Sequence, residues 1–182
     1  MKRLAVLAAI TLAMAPYARS AETQPYAGLE ARSIKALSDE QIADLKAGRG
    51  MGLALAAELN GYPGPTHVLE LAEPLGLSAE QRAKVAELFA AMRAETVPLG
   101  EKLIAQETDL ERLFAGKTIT PASLVSTTQA IGATHAALRA AHLKYHLATV
   151  AVLAPTQIGR YAELRGYAGD QQPKPMHGGH QH

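Results

Sequence analysis

The chain of 182 residues has no cysteine, no tryptophan and only two phenylalanines, Phe89 and Phe114. Without cysteine it has no disulfide to hold the fold, no thiolate nucleophile and no thiolate metal site. With so few aromatics the core must come from alanine and leucine, which favour helix and pack thinly. No basic block is present to hold nucleic acid. No apolar run reaches the about 20 residues that a membrane-spanning helix needs. No alternating apolar and polar stretch marks a strand. The glycines of "GRGMG", Gly48 to Gly52, lack the Lys-Ser/Thr ending of a phosphate loop and follow no strand. Ser33, Ser38, Ser78, Ser123 and Ser126 fall in an arm, in helix caps or near a helix start, none in a nucleophile elbow. These absences point away from enzymes and toward a protein that works by binding.

What is present begins with a leader. "MKRLAVLAAITLAMAPYARS" has Lys2 and Arg3, then an apolar run from Leu4 to Ala15, then the small residues Ala18 and Ser20. This order predicts a secretory signal peptide over residues 1–20, and so export to the periplasm with no stable membrane insertion after cleavage. Lys2, Arg3 and Arg19 leave with it, so 18 basic residues become 15 against 17 acidic ones. The mature chain is therefore slightly acidic.

Residues 21–36 read as a flexible arm, 37–168 as one helical domain, and 169–182 as a polar tail without a reason to fold. Within the domain, Ser38 with Gln41 and Ser78 with Gln81 have the spacing of capping boxes. "GRGMG" interrupts the first helix, and "NGYPGP", Asn60 to Pro65, breaks the chain again. Thr66 is placed to cap a short helix that Pro74 ends. From Val85 to Phe114 apolar residues recur at three, four and seven, with Pro98 inside the pattern, which predicts a long helix bent at the proline. Thr120 caps and Pro121 opens the next helix. That helix repeats Leu124, Ile131, Leu138, Tyr145 and Val152 every seven residues, with a second seam of the small residues Thr127, Thr134, Ala141 and Ala148. Two long helices joined by a short turn must run antiparallel. Pro155 opens a last short helix. The expected fold is all-α: an elongated, bent antiparallel hairpin with flanking short helices. Its thin alanine-rich core predicts a homodimer.

His135, His142 and His146 share one strip of the later long helix, at its 100° per residue turn. His142 and His146 stand one turn apart, the spacing that chelates one zinc, nickel, cobalt or copper ion. With the hairpin closed at residues 116–120, Glu95 falls near the level of His142 and Met92 near that of His146, as further ligands. The tail "MHGGHQH" gathers His177, His180 and His182 beside Met176, a weaker second metal set. No cofactor is required by either reading.

"LSAEQ" at Leu77–Gln81 and "LAPTQ" at Leu153–Gln157 say nearly the same thing twice. With the leader and the order motif, long helix, turn, long helix, motif, they resemble the duplicated Leu-Thr-x-x-Gln signature of the Spy/CpxP periplasmic proteins. The likeness covers roughly residues 66–167. It makes Leu77, Ser78, Gln81, Leu153, Pro155 and Gln157 scaffold residues. It implies a periplasmic stress-response accessory protein: an ATP-independent chaperone for unfolded clients, or an adaptor for an inner-membrane sensor protein. The alternative it implies is a periplasmic heavy-metal sensor. Where sensor members pair His with Met one turn later, this chain has His142 and His146, and residues 38–59 hold no histidine. A third reading is an exported helical structural protein that binds neither metal nor client.

Overall fold

A computed structural model describes residues 24–167. The leader, residues 1–20, and the tail histidines with Met176 lie outside the described residues. A turn of 3-10 helix, Leu29–Ala31, precedes six α-helices: α1 (Asp39–Ala47), α2 (Leu55–Glu58), α3 (Pro65–Glu70), α4 (Ala79–Ala115), α5 (Pro121–Val150) and α6 (Pro155–Leu164). The fold is all-α and elongated, with α4 and α5 packed along each other and the shorter helices flanking them. At 1.5 Å per residue, α4 runs for about 55 Å and α5 for about 45 Å. No described helix is long and apolar enough to cross a membrane.

Helix ends fall where local chemistry puts them. The Oγ of Ser38 accepts the Gln41 amide at 3.1 Å, and the Oγ of Ser78 accepts that of Gln81 at 3.1 Å. Thr120 closes a box with Ser123, and Pro121 takes the first helical position. The third helix differs from expectation: Gly64 is its N-cap, and Pro65, not Thr66, opens it. Proline at that position needs no amide partner and is already set in helical φ. Helix α4 continues through Pro98. Two buried threonines in the long helices satisfy their hydroxyls within the helix: Thr96 donates to the Met92 carbonyl at 2.9 Å and Thr149 to that of Tyr145 at 2.7 Å.

Two apolar cores sit at different levels of the hairpin. Toward the closed turn, Leu103 of α4 and Ile131 and Leu138 of α5 pack with Leu45 and with Ile34 and Leu37. Ile34 belongs to the stretch expected to be a flexible arm. It is buried instead, and Lys35 just beyond it binds the Glu111 carboxylate at 2.7 Å. The thin hairpin leaves an apolar groove that this segment covers. Gly100 lets α1 lie directly on α4: a Cβ there would stand 2.8 Å from the Leu45 carbonyl carbon. Toward the open end, Val68, Leu75, Val85, Leu153 and Tyr161 form the second core, with Leu77 packed against it.

The repeated motif closes this open end. Each glutamine accepts the backbone N–H of its own N-cap, Gln81 from Ser78 at 3.1 Å and Gln157 from Ala154 at 2.9 Å. Each then donates to the other's carbonyl oxygen, at 2.9 and 3.0 Å. Gln81 also donates to the Val152 carbonyl at 2.9 Å. The two copies thus meet as a reciprocal amide pair, which explains why the same phrase is needed twice. Ala154 offers no side-chain acceptor, so the second copy is half a capping box opened by Pro155.

Candidate functional site

Between the two cores, at the level of Phe89 to Arg93 on α4 and His142 to His146 on α5, lies a cleft of about 650 Å³. That volume is within the range of ligand pockets. Its floor includes Met92, His142 and His146, and its walls are the 48–52 loop and the start of α3. The loop needs its glycines. Gly48 ends α1 at φ 67° and Gly52 follows at φ 81°, both in the left-handed region. Met51 is held there too, at φ 43°, which is uncommon for a residue with a side chain. Gly50 sits beside the His142 ring, where a Cβ would be 3.6 Å from Nδ1. Gly64 presses on His146 more closely, with a Cβ position only 2.7 Å from Nε2. Both glycine-rich segments therefore pack their backbones against the histidine pair.

The two rings are held differently. His146 Nδ1 lies 2.6 Å from the Tyr62 carbonyl oxygen. A carbonyl can only accept, so Nδ1 is the nitrogen that donates here, and Nε2 makes no bond to the Tyr62 carbonyl. His142 is 3 % exposed, and its buried Nε2 has no hydrogen-bond partner. Burial, and secondarily the neighbouring His146, hold the His142 imidazole below its ordinary pKa, so it is neutral near pH 7. An unpartnered buried nitrogen costs free energy unless something occupies the space beside it.

Behind His146 stands Glu58, a buried carboxylate. Its Oε1 accepts from the Tyr161 hydroxyl and, at 3.2 Å, from the Tyr167 hydroxyl; its Oε2 accepts from the Gly64 amide at 3.3 Å. Arg165 Nε stands 3.8 Å away, and His146 Nδ1 also 3.8 Å. Burial and the hydrogen bond to Glu58 push the Tyr161 hydroxyl well above its ordinary pKa. This network fixes the end of α6 against α2 and the cleft wall.

Of the residues expected to share a metal, the structure brings together Met92, His142 and His146. It does not bring Glu95 to them. That carboxylate is held by the Lys144 ammonium at 2.5 Å and the Tyr145 hydroxyl at 3.2 Å, and Lys144 lowers its pKa. His135 is exposed on α5, two turns away. Among the described residues no group of three His, Asp or Glu side chains is close enough to hold a metal ion. Glu58, Tyr161, Tyr167 and the packing glycines were not anticipated. Glu58 sits in an apolar run, "LALAAELN", and an isolated acid there was the available signal. Comparison with protein-family models, with curated proteins and with solved structures found no match.

Proposed function

We propose that this chain is a periplasmic stress-response accessory protein of the Spy/CpxP kind, which captures apolar segments of unfolding proteins at the cleft without ATP. The observation that carries the reading is the cleft's rim. Met51 and Leu55 line it, yet remain 41 % and 53 % exposed. Exposed apolar side chains around a concave site mark binding surfaces. Unbranched methionines, Met51 at the rim and Met92 beneath, adapt to varied partners. The near-neutral mature charge favours apolar capture over charge steering. In a test, the mature chain slows the aggregation of a reduced, unfolding client, and Met51→Ser with Leu55→Ser reduces that effect several-fold at unchanged melting temperature. Undiminished suppression by the double variant would count against the cleft as the capture surface.

A second reading is supported by the histidine pair. His142, whose Nε2 has no partner, and His146, whose Nδ1 is turned to the Tyr62 carbonyl, are two imidazoles one turn apart, with the Met92 thioether in the same cleft. Imidazole and thioether suit zinc, nickel, cobalt or copper, and two nitrogens alone hold such an ion weakly. Titration of the mature chain with each ion, compared with His142→Leu, tests this reading. Equal binding by both proteins would exclude the helix pair as ligands.

A further inference from the structure

Every acid that lines the cleft is engaged within the protein. Asp44 holds Arg49 at 2.5 Å, and Glu70 holds His67 at 2.9 Å. Glu58 accepts from the Tyr161 and Tyr167 hydroxyls and from the Gly64 amide. One cation of the lining is left over. Arg93, on α4, has no carboxylate or other side-chain partner among the described residues. The residues one turn away on its helix are Phe89, Ala90, Thr96 and Val97, and none carries a charge to meet it.

Other donors gather beside it. Gly48 rests on Thr96 and Val97, where a Cβ would fall 2.6 Å from the Thr96 hydroxyl and 3.1 Å from the Val97 side chain. The 48–52 loop therefore starts one helical turn from Arg93. The backbone amides of Gly48 and Arg49 donate to α1 carbonyls, whereas those of Gly50, Met51 and Gly52 have no acceptor among the described residues. Successive backbone amides of a turn are donors for anions. His142, beside Gly50, is buried and its Nε2 has no partner. A neutral imidazole nitrogen either donates to an oxygen or accepts from an amide. The cleft thus joins the apolar surface of Phe89 and Met92 to a guanidinium, three amides and an imidazole that the fold leaves unmatched.

A carboxylate is the anion that fits this set. Its two oxygens take a guanidinium through paired N–H bonds and still accept from backbone amides. The end of a polypeptide presents a carboxylate next to an amide N–H and to side chains that can be apolar. The cleft also has a packed core at each end along the hairpin, so a segment that enters it stops there rather than running on.

We propose that the cleft binds the C-terminal end of an apolar polypeptide segment, with Arg93 taking the terminal carboxylate and the Met51 and Leu55 rim covering the side chains that precede it. This rests on the capture reading above and names the kind of segment captured.

The test is fluorescence anisotropy with a short labelled peptide of apolar residues. The peptide is prepared with a free C-terminal carboxylate, with a C-terminal amide, and as the amide with one internal glutamate. The mature chain is compared with Arg93→Gln and with Arg139→Gln, which changes an exposed arginine of α5 outside the cleft lining. Circular dichroism checks that each protein is folded. The proposal expects the free acid to bind at least tenfold more tightly than either amide. That preference should fall below twofold in Arg93→Gln and persist in Arg139→Gln. Equal binding of acid and amide would overturn the proposal and leave the capture reading standing. A preference that survives Arg93→Gln would place the carboxylate elsewhere and overturn it as well. So would an internal glutamate that binds as tightly as the free end, or decanoate that binds more tightly than the peptide in a displacement assay. Binding of none of the peptides would sink both the capture reading and this inference.

Discussion

Gln81 of α4 with Gln157 of α6 at the open end, and His142 with His146 of α5 in the cleft, are both pairs of polar side chains drawn wholly or partly out of water. The glutamines leave nothing unmatched: each closes the amide of its own helix start and both bond each other. The histidines do not. One ring is anchored to the Tyr62 carbonyl, and the other has a buried nitrogen with no partner. A fully satisfied polar pair holds a frame, because every atom gains when the frame closes. A partly satisfied pair is a standing cost that a frame does not need. Natural chains keep such groups where a ligand or function uses them.

The comparison can be broken most severely where the cleft is attached to the frame. Gly100→Leu would force a side chain into the Leu45 backbone and lift α1, with the 48–52 loop, off α4. Overpacking of this kind costs about 3 kcal/mol or more. The melting temperature should fall by roughly 10 °C for a chain of this size. Cleft binding should be lost, while the Gln81–Gln157 pair, at the far side of the second core, should remain.

Next comes the clasp itself. Gln157→Leu removes the partner of Gln81 and leaves the Ala154 amide unpaired, at a cost of about 1–3 kcal/mol. Denaturation of the two single variants and the double, Gln81→Leu with Gln157→Leu, forms a cycle. The double should lose less than the singles together, since each single already breaks the reciprocal pair.

The Glu58 network joins the two regions and is sharpened by pH. Tyr161 has a raised pKa in the fold, so the folded protein keeps that proton when the unfolded chain has lost it. Its contribution is therefore fully present below about pH 10, the value for an unperturbed tyrosine, and declines as pH rises beyond it. One such group gives a slope of at most about 1.4 kcal/mol per pH unit. Chemical denaturation between pH 9 and 11 should show this decline, and Tyr161→Phe should flatten it.

The smallest effect belongs to Glu95. Its carboxylate serves Lys144 and Tyr145 on the outside of the helix pair. Glu95→Gln should change metal or client binding by less than twofold.

The frame was legible in the sequence because its signals are local. Ser38, Ser78, Thr120, Pro121 and Pro155 mark helix starts within a few residues of chain, and the seven-residue repeat of α5 gives the hairpin. Pairing of the two Leu-x-x-x-Gln copies was visible as repetition, though not as a mutual bond. The cleft was legible only in part. Periodicity put His142, His146 and Met92 near one another, because levels along an antiparallel hairpin can be counted from its turn. It also put Glu95 level with His142, but level is not azimuth, and Glu95 faces Lys144 instead. "GRGMG" and "NGYPGP" read as breaks, whereas their glycines bring backbone against the two rings. Such contacts join residues about 80–90 positions apart, and no local pattern encodes them. The buried Ile34 was missed for the same reason: what holds it is a groove made by distant residues.

The central claim is that the clasp is frame and the His142 imidazole is kept for binding rather than for folding. The direct measurement is the thermal unfolding of His142→Leu in the absence of metal and client. An apolar side chain that removes an unpartnered buried nitrogen should leave the melting temperature equal to or above that of the wild-type chain. A fall of several degrees, like that expected for Gln157→Leu, would show that the imidazole holds the frame and would contradict the account.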